Sequence, residues 1–434
     1  MAIFSRRRSQ AMLDEVRPWL TDEKARDLIG RLSDRKRPEQ LIAVEMELGL
    51  LWGIKQLARL KVEPDMPNST RVPDAYSEDF FGTPSYIEVT TISDGKLSGE
   101  ASMQRAAQKI VEFANGLRRR SGNKLYFSFG ERSYWEGNQY FREHHVAPDF
   151  ELTEAMKADI SAWVHAPEFA NTSIRLEGPN TAVTVTCQKY SQRAGFNFFT
   201  SLPALAYDIE DNPLFAALDD KRSQLSGVPP HALKVIFVAD GGSRLLRRLN
   251  DRDPLGQHKC GAEIVSHFLG KRDIDLVCVF SPRTRRPSSR NRRSLHWQVS
   301  HFEDGRKRIP SVENLSRLAD ALPAPWFEGS QARSIQRQQG FAPMARGWYL
   351  GSKIGSNKGK ITMKMSTRLL LEYLAGRITM QRFHDHCMGK NLFEHWLKLG
   401  YVISDARFES GSVDADDDYV ILELRRDPAA AEFT

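Results

Sequence analysis

Cysteine is scarce in this chain, and what there is forms no pattern. The four in 434 residues, Cys187, Cys260, Cys278 and Cys387, are scattered without a CxxC pair, which fits a reducing cytoplasm rather than a disulfide framework. Long apolar runs are missing too. None approaches the roughly 20 residues needed to cross a bilayer, so no membrane association is expected. Arg6-Arg7-Arg8 is followed by Ser9-Gln10-Ala11-Met12-Leu13-Asp14-Glu15, which gives an export signal no apolar segment; the expected location is cytoplasmic. There is no internal repeat or long low-complexity tract, and 41% hydrophobic with 27% charged residues argues against long disorder. An acidic excess is also lacking. Sixty-two Lys and Arg against 55 Asp and Glu leave a net charge of +7. That balance suits a polyanionic partner where the positive charge is clustered, and a plain solvated surface where it is not.

What is present is enough chain for two or three domains. Residues 9–33 read as an amphipathic helix. Pro38 opens a second helix to about residue 60, apolar nearly all round and so expected in the core. Short strands follow near 60–63, 70–76 and 85–92, punctuated by Pro64, Pro67-Asn68 and Gly82-Thr83-Pro84. A helix near 98–119 and a strand at 124–129 complete an αβββαβ order. Residues 130–211 are less regular. Asn212-Pro213 is a helix start, an N-cap with proline at the first helical position, and that helix runs to about 225. A strand at 233–239, a helix near 262–269 and a buried strand at 274–280 imply a parallel α/β arrangement.

The acidic residues carry the chemistry. Val72-Pro73-Asp74 is followed, fourteen positions after the aspartate, by Glu88 within Tyr86-Ile87-Glu88-Val89-Thr90. On adjacent strands about 4.8 Å apart, Asp74 and Glu88 could share one divalent metal. Glu45 falls among Leu41, Val44, Leu48 and Trp52 on one side of its helix, so a buried carboxylate there needs a cation; Glu47 points elsewhere. Lys221 lies within the apolar stripe of Leu214, Leu218 and Leu225, where a lysine is costly without a carboxylate partner or a route for its head group to water.

This order of elements and acids resembles the PD-(D/E)XK, or restriction-endonuclease-like, nuclease superfamily. The resemblance rests on the Glu45 helix, Pro73-Asp74 and Glu88-Val89-Thr90. It implies an α/β fold with a mixed sheet flanked by helices and Mg2+- (or Mn2+-) dependent hydrolysis of phosphodiester bonds. Asp74 and Glu88 would be the metal ligands and Glu45 an outer carboxylate. DNA is favoured over RNA as substrate, and prokaryotic restriction or anti-phage defence is the setting that the family suggests. The chain departs from the family pattern at Thr90, which stands where that pattern has lysine. If the 212–225 helix packs behind the strands, Lys221 can occupy the missing position and the intervening segment becomes an insertion; Lys96 is the other candidate, on a loop.

The expected organisation is an N-terminal helical extension (1–36), a nuclease core (37–281) with an insertion around 130–211, a basic loop or linker (282–310) and a smaller, mainly helical α+β domain (311–434). The last would serve substrate positioning, a protein partner or homo-oligomerisation. Arg283, Arg285, Arg286, Arg290, Arg292 and Arg293, with Trp297 for base stacking, form a candidate phosphate-tracking strip. Weaker motifs are Asp240-Gly241-Gly242 after a strand, the basic run 353–360, His384, His386, Cys387 and His395, and the acidic tract around Asp414, Asp416, Asp417 and Asp418. Two other functions fit the residues: a non-catalytic nucleic-acid-binding or scaffold protein on a decayed nuclease fold, and a metal-dependent hydrolase of a small phosphorylated substrate.

Overall fold

The computed structural model describes residues 3–33, 38–66, 72–93, 100–119, 121–122, 125–136, 139–147, 149–187, 197–199, 206–254, 256–285, 294–326, 352–357, 359–380, 383–384, 392–415 and 417–429. Three helices, α1 (Arg6–Val16), α2 (Asp22–Ser33) and α3 (Pro38–Leu57), precede three strands, β1 (Leu60–Val62), β2 (Ala75–Ser77) and β3 (Ser85–Ile92). The chain continues through α4 (Glu100–Leu117), β4 (Leu125–Phe129), β5 (Glu131–Glu136), β6 (Gln139–His144), α5 (Glu154–His165), β7 (Ser173–Gly178), β8 (Thr181–Cys187) and β9 (Asn197–Phe199). Next come α6 (Pro213–Gln224), β10 (Leu233–Asp240), the single turn α7 (Arg244–Arg247), α8 (Gly261–Lys271), β11 (Leu276–Arg285), β12 (Ser294–Glu303) and α9 (Asn314–Ala321). The C-terminal part holds β13 (Ser352–Asn357), β14 (Lys360–Ser366), short helices at Thr367–Leu374 and Leu392–Lys398, β15 (Tyr401–Glu409) and β16 (Tyr419–Arg426).

The architecture is α/β. A six-stranded mixed sheet in the order β1-β2-β3-β10-β11-β12 runs parallel across β3, β10 and β11 and antiparallel at both edges. Alternation along the strands sorts side chains to two faces. Ile87, Val89, Val235, Phe237, Cys278 and Phe280 join the core with α1, α3 and α9. Tyr86, Ile236, Val238, Val277 and Val279 join Leu214, Leu218, Ile264 and Phe268 from α6 and α8. The sheet is therefore buried on both sides, which explains the near-continuous apolar runs of β10 and β11.

Several expected boundaries move. Residues 1–36 are not an appended extension: Met12, Leu13, Val16 and Leu28 sit in the same core as α3 and the sheet. The stretch expected as a basic linker forms the end of β11 and the whole of β12, paired from Leu276↔Glu303 to Arg285↔Ser294. Past residue 311, α9 still belongs to this core. It docks on α3 where Gly49 and Gly53 let Phe4, Leu318 and Leu322 approach the helix backbone.

The helix near 98–119 and the strand at 124–129 do not complete the main sheet. α4 and β4 belong to a second sheet, β7-β8-β4-β9, with its own core of Met103, Ile110, Phe127, Ile160, Val183 and Val185. The insertion therefore begins after β3 rather than near 130, and α6 supplies the helix packed on β3. The C-terminal region is a four-stranded antiparallel sheet, β13-β14-β16-β15, more strand than the mainly helical domain expected. Its β15–β16 connection is fastened to α1: Ser5 donates to the Val413 carbonyl, Arg8 pairs with Asp414 at 2.8 Å and Arg7 with Asp418 at 2.8 Å. Among the described residues, no helix is long and apolar enough to cross a membrane.

The α3–α9 contact generates a stability prediction. A Cβ at Gly53 would lie 2.6 Å from Leu318 Cδ1, whereas one at Gly30 on α2 meets nothing within 4 Å. Gly53→Val should lower stability by about 1–3 kcal/mol through overpacking. Gly30→Ala should raise it by roughly 0.5–1 kcal/mol through helix propensity. Urea melts of the two variants would show opposite shifts; shifts of the same sign would refute this packing.

Candidate active site

β2 begins at Ala75, opposite Ile87 of β3, so one residue earlier places Asp74 opposite Glu88. The Asp74 carboxylate uses this position: its Oδ2 accepts the Val89 N–H at 2.7 Å, just ahead of the first residue of β2. On the other side, Glu63 N–H donates to the Asp74 carbonyl at 3.1 Å, so the aspartate backbone is tied to both neighbouring strands. Glu88 shares its face with Tyr86, the face that α6 covers.

α6 brings the cation. Asn212 caps the helix, accepting from Leu214 N–H at 3.1 Å and Phe215 N–H at 2.9 Å, with Pro213 next. Leu214, Leu218 and Leu225 are buried, which turns Lys221 of the same stripe toward β3. Its Nζ lies 2.5 Å from Glu88 Oε2 and 3.2 Å from Asp74 Oδ2. Gln224, one turn on, accepts a third hydrogen bond at 3.1 Å. The expected trio of Asp74, Glu88 and Lys221 thus meets in one place, and Lys221 comes to the acids from a helix rather than from position 90.

The electrostatics are uneven. Glu88 is 0% exposed, while the side chains of Asp74 and Lys221 keep 17% and 18%, so solvent reaches the cluster from the aspartate side. Glu88 Oε1 is buried with no hydrogen-bond partner among the described residues. Burial, then repulsion from Asp74, pushes the Glu88 carboxyl up to about 8, and Lys221 offsets only part of this. Burial also pushes Asp74 upward, but Lys221 and the Val89 amide outweigh it and hold the carboxyl below the usual aspartate range. For Lys221, burial lowers the pKa, and the two carboxylates more than reverse that.

A second cation stands behind the aspartate and was not anticipated. Lys24, on the buried face of α2, pairs with Glu47 and Glu63, both at 3.0 Å. Burial disfavours its charge, Glu47 and Glu63 overcome the penalty, and the ammonium in turn contributes to holding Asp74 low. The readable sign was the one that marks Lys221: a lysine beside Ala25 and Leu28 on a helix's apolar side.

Other expected residues have different tasks. Glu45 is fully buried and its Oε2 accepts the Ile3 N–H at 2.9 Å. Its helix packs on the Ile87/Val89 face, opposite the face that carries Glu88. Glu47, which was set aside, is the α3 carboxylate tied to Lys24. Trp297 does not offer a ring for stacking: it is buried, its Nε1 donates to the Pro323 carbonyl at 2.8 Å, and it packs on Phe4. Arg283 is spent on the carbonyls of Leu246 and Arg247 at 2.9 and 2.7 Å. Arg285 ends β11; Arg286, Arg290, Arg292, Arg293 and Lys96 lie outside the described residues.

The remaining motifs are accounted for locally. Asp240 takes the Gly242 and Ser243 amides itself, at 2.9 and 2.8 Å, leaving neither for an anion. Asp417 accepts from Ser366 and from the Arg368 N–H at the start of a helix. His384 is buried beside Phe383; His386, Cys387 and Asp416 fall outside the described residues.

Among the described residues no three His, Cys, Asp or Glu side chains converge as a metal cage. The donor set at this site is two carboxylates, Glu88 fully buried and Asp74 partly open to solvent. Mg2+ suits it, because that ion commonly takes one or two carboxylates and fills its remaining positions with water and phosphate oxygens. The orphaned Glu88 oxygen is consistent with a missing cation partner.

No family model, curated protein or solved structure matches the chain. Function is therefore argued from the site.

The Glu88 shift has a measurable consequence. The fold favours the protonated carboxyl, so the folded chain holds an extra proton between the ordinary glutamate value of 4.5 and about 8. That contribution is complete below the lower value and is lost as pH rises through the upper one. Glu88→Gln keeps a neutral side chain at every pH. Its urea midpoint relative to the parent should therefore rise between about pH 5 and about pH 9; an unchanged difference would show that burial does not hold Glu88 protonated.

Proposed function

We propose that this protein is a Mg2+-dependent nuclease on a restriction-endonuclease-like core, hydrolysing phosphodiester bonds of nucleic acid, DNA in preference to RNA. The observation that carries this reading is the Lys221 ammonium within hydrogen-bond distance of both Asp74 and Glu88. With the inserted sheet set aside, α3, β1, β2, β3, α6 and β10 follow the αβββαβ order, with the acids just before β2 and in the middle of β3. Three ionisable groups gathered where one carboxylate oxygen has no hydrogen-bond partner among the described residues cost stability. Such clusters concentrate at functional sites.

Asp74 and Glu88 would hold the ion, and the ion would supply Lewis-acid activation of water and phosphate at neutral pH. The chain's own groups do the rest. Val89 N–H fixes the aspartate rotamer and Gln224 holds Lys221 on the open side of the cluster. In the reaction, a water oxygen adds to phosphorus in line and gives up a proton to solvent, the opposite ester oxygen leaves and takes up a proton from solvent, and the Lys221 ammonium offsets the charge that grows on the non-bridging oxygens. Thr90 has no charge to give, so this role falls to α6.

The test is cleavage of supercoiled, linear and single-stranded DNA with Mg2+ and with chelator. Asp74→Asn, Glu88→Gln and Lys221→Met should each reduce Mg2+-dependent cleavage at least about 100-fold while the protein stays folded. Salt-sensitive DNA binding without cleavage would instead mark a decayed nuclease. Hydrolysis of nucleotides but not polymers would mark a small-substrate phosphohydrolase.

A further inference from the structure

At one end of the C-terminal sheet lies an open groove of about 730 Å3. Gly355 and Ser356 of β13, Gly359 and Lys360 at the turn into β14, and Arg425 and Arg426 at the end of β16 line it. Register places Lys360 directly opposite Arg425. Two like charges facing each other across a strand pair are destabilising on their own account. Among the described residues one carboxylate moderates Lys360: Glu423 pairs with it and also accepts from Arg407 at 2.8 Å, and the two cations, Lys360 foremost, hold its carboxyl low. Arg425 and Arg426 are exposed, and neither has a carboxylate partner among the described residues.

The glycines point the same way. Gly359 sits at φ 77° in the β13–β14 turn, a conformation that favours glycine. Gly355 has no such reason: it lies inside a strand, where glycine weakens pairing, and a Cβ there would meet nothing within 4 Å. Neither packing nor backbone geometry requires its missing side chain. A bare strand surface beside three cations is suited to close approach by a ligand rich in oxygen anions.

We propose that this groove binds the backbone phosphates of a polynucleotide. The groove's lining brings together three cationic side chains and carries no aromatic side chain on which a base could stack. Contacts of this kind fix position and register without reading sequence. The proposal rests on the nuclease reading for its choice of ligand, but its test does not depend on cleavage.

Binding of a labelled DNA duplex and a labelled single strand is measured without divalent metal, as a function of salt, for the full chain and for the Arg425→Ala/Arg426→Ala double variant. Affinity should fall about 10-fold or more, and the slope of log K against log salt should flatten by about 2. Arg425→Lys/Arg426→Lys, which keeps the charge, should stay near the parent. Mg2+-dependent hydrolysis of a small diester, bis(p-nitrophenyl) phosphate, should be unchanged in all variants. Loss of DNA binding in the alanine variant supports the groove even if the parent cleaves nothing. Parent-like affinity and slope in the alanine variant overturn the groove even if the parent is a nuclease. Tight binding of ATP or inorganic triphosphate that DNA fails to displace would also overturn it, in favour of a free-polyphosphate site.

Discussion

One ammonium group holds together two carboxylates that would otherwise repel each other. Asp74 and Glu88 come from adjacent strands at a depth where each ionised acid needs compensation, and Lys221 reaches both. The surrounding structure can be understood from this requirement. The cap at Asn212 fixes where α6 begins, the leucine stripe fixes which side it presents to β3, and the parallel pairing of β3 with β10 sets the floor beneath. Behind the aspartate, the Lys24–Glu47–Glu63 network ties α2 and α3 to the same corner of the sheet. The site is thus anchored from elements far apart in the chain.

The cluster does not look optimised for stability. A buried carboxylate oxygen has no hydrogen-bond partner among the described residues, and its group is driven toward the neutral form. An apolar trio of similar volume would fold at least as well, since buried ion clusters rarely repay their desolvation. An expensive cluster of ionisable groups that solvent reaches from one side is characteristic of functional sites. The basic groove at the end of the C-terminal sheet adds a second patch of positive charge on a chain whose overall excess is modest.

Much of this was legible in the sequence, for identifiable reasons. Lysine is costly in a leucine stripe, which is why Lys221 stood out. Asn212-Pro213 marked its helix, and strand alternation put Asp74 and Glu88 on compatible faces. The choice of Glu45 over Glu47 failed because α3 is apolar nearly all round and presents no single buried stripe: Glu45 accepts the Ile3 N–H, and Glu47 is the carboxylate that meets Lys24. The arginines of 283–293 drew attention away from a period-two pattern just beyond them: Leu295, Trp297 and Val299 alternate with His296, Gln298 and Ser300, and they form β12. Sheet membership was the least readable property. A helix and strand at 100–129 fit the αβββαβ order locally, and only pairing with β8 rather than β3 or β10 reveals them as part of an insertion.

The most direct measurement is Mn2+ binding to the nucleic-acid-free protein, followed by electron paramagnetic resonance as free Mn2+ disappears, with Mg2+ as competitor. Saturable binding that Mg2+ displaces, lost in Asp74→Asn and in Glu88→Gln but kept in a variant with all of Arg425, Arg426 and Lys360 replaced by alanine, is the predicted result. No saturable binding, or binding that survives both acid substitutions, would contradict the claim that these two carboxylates form a metal site.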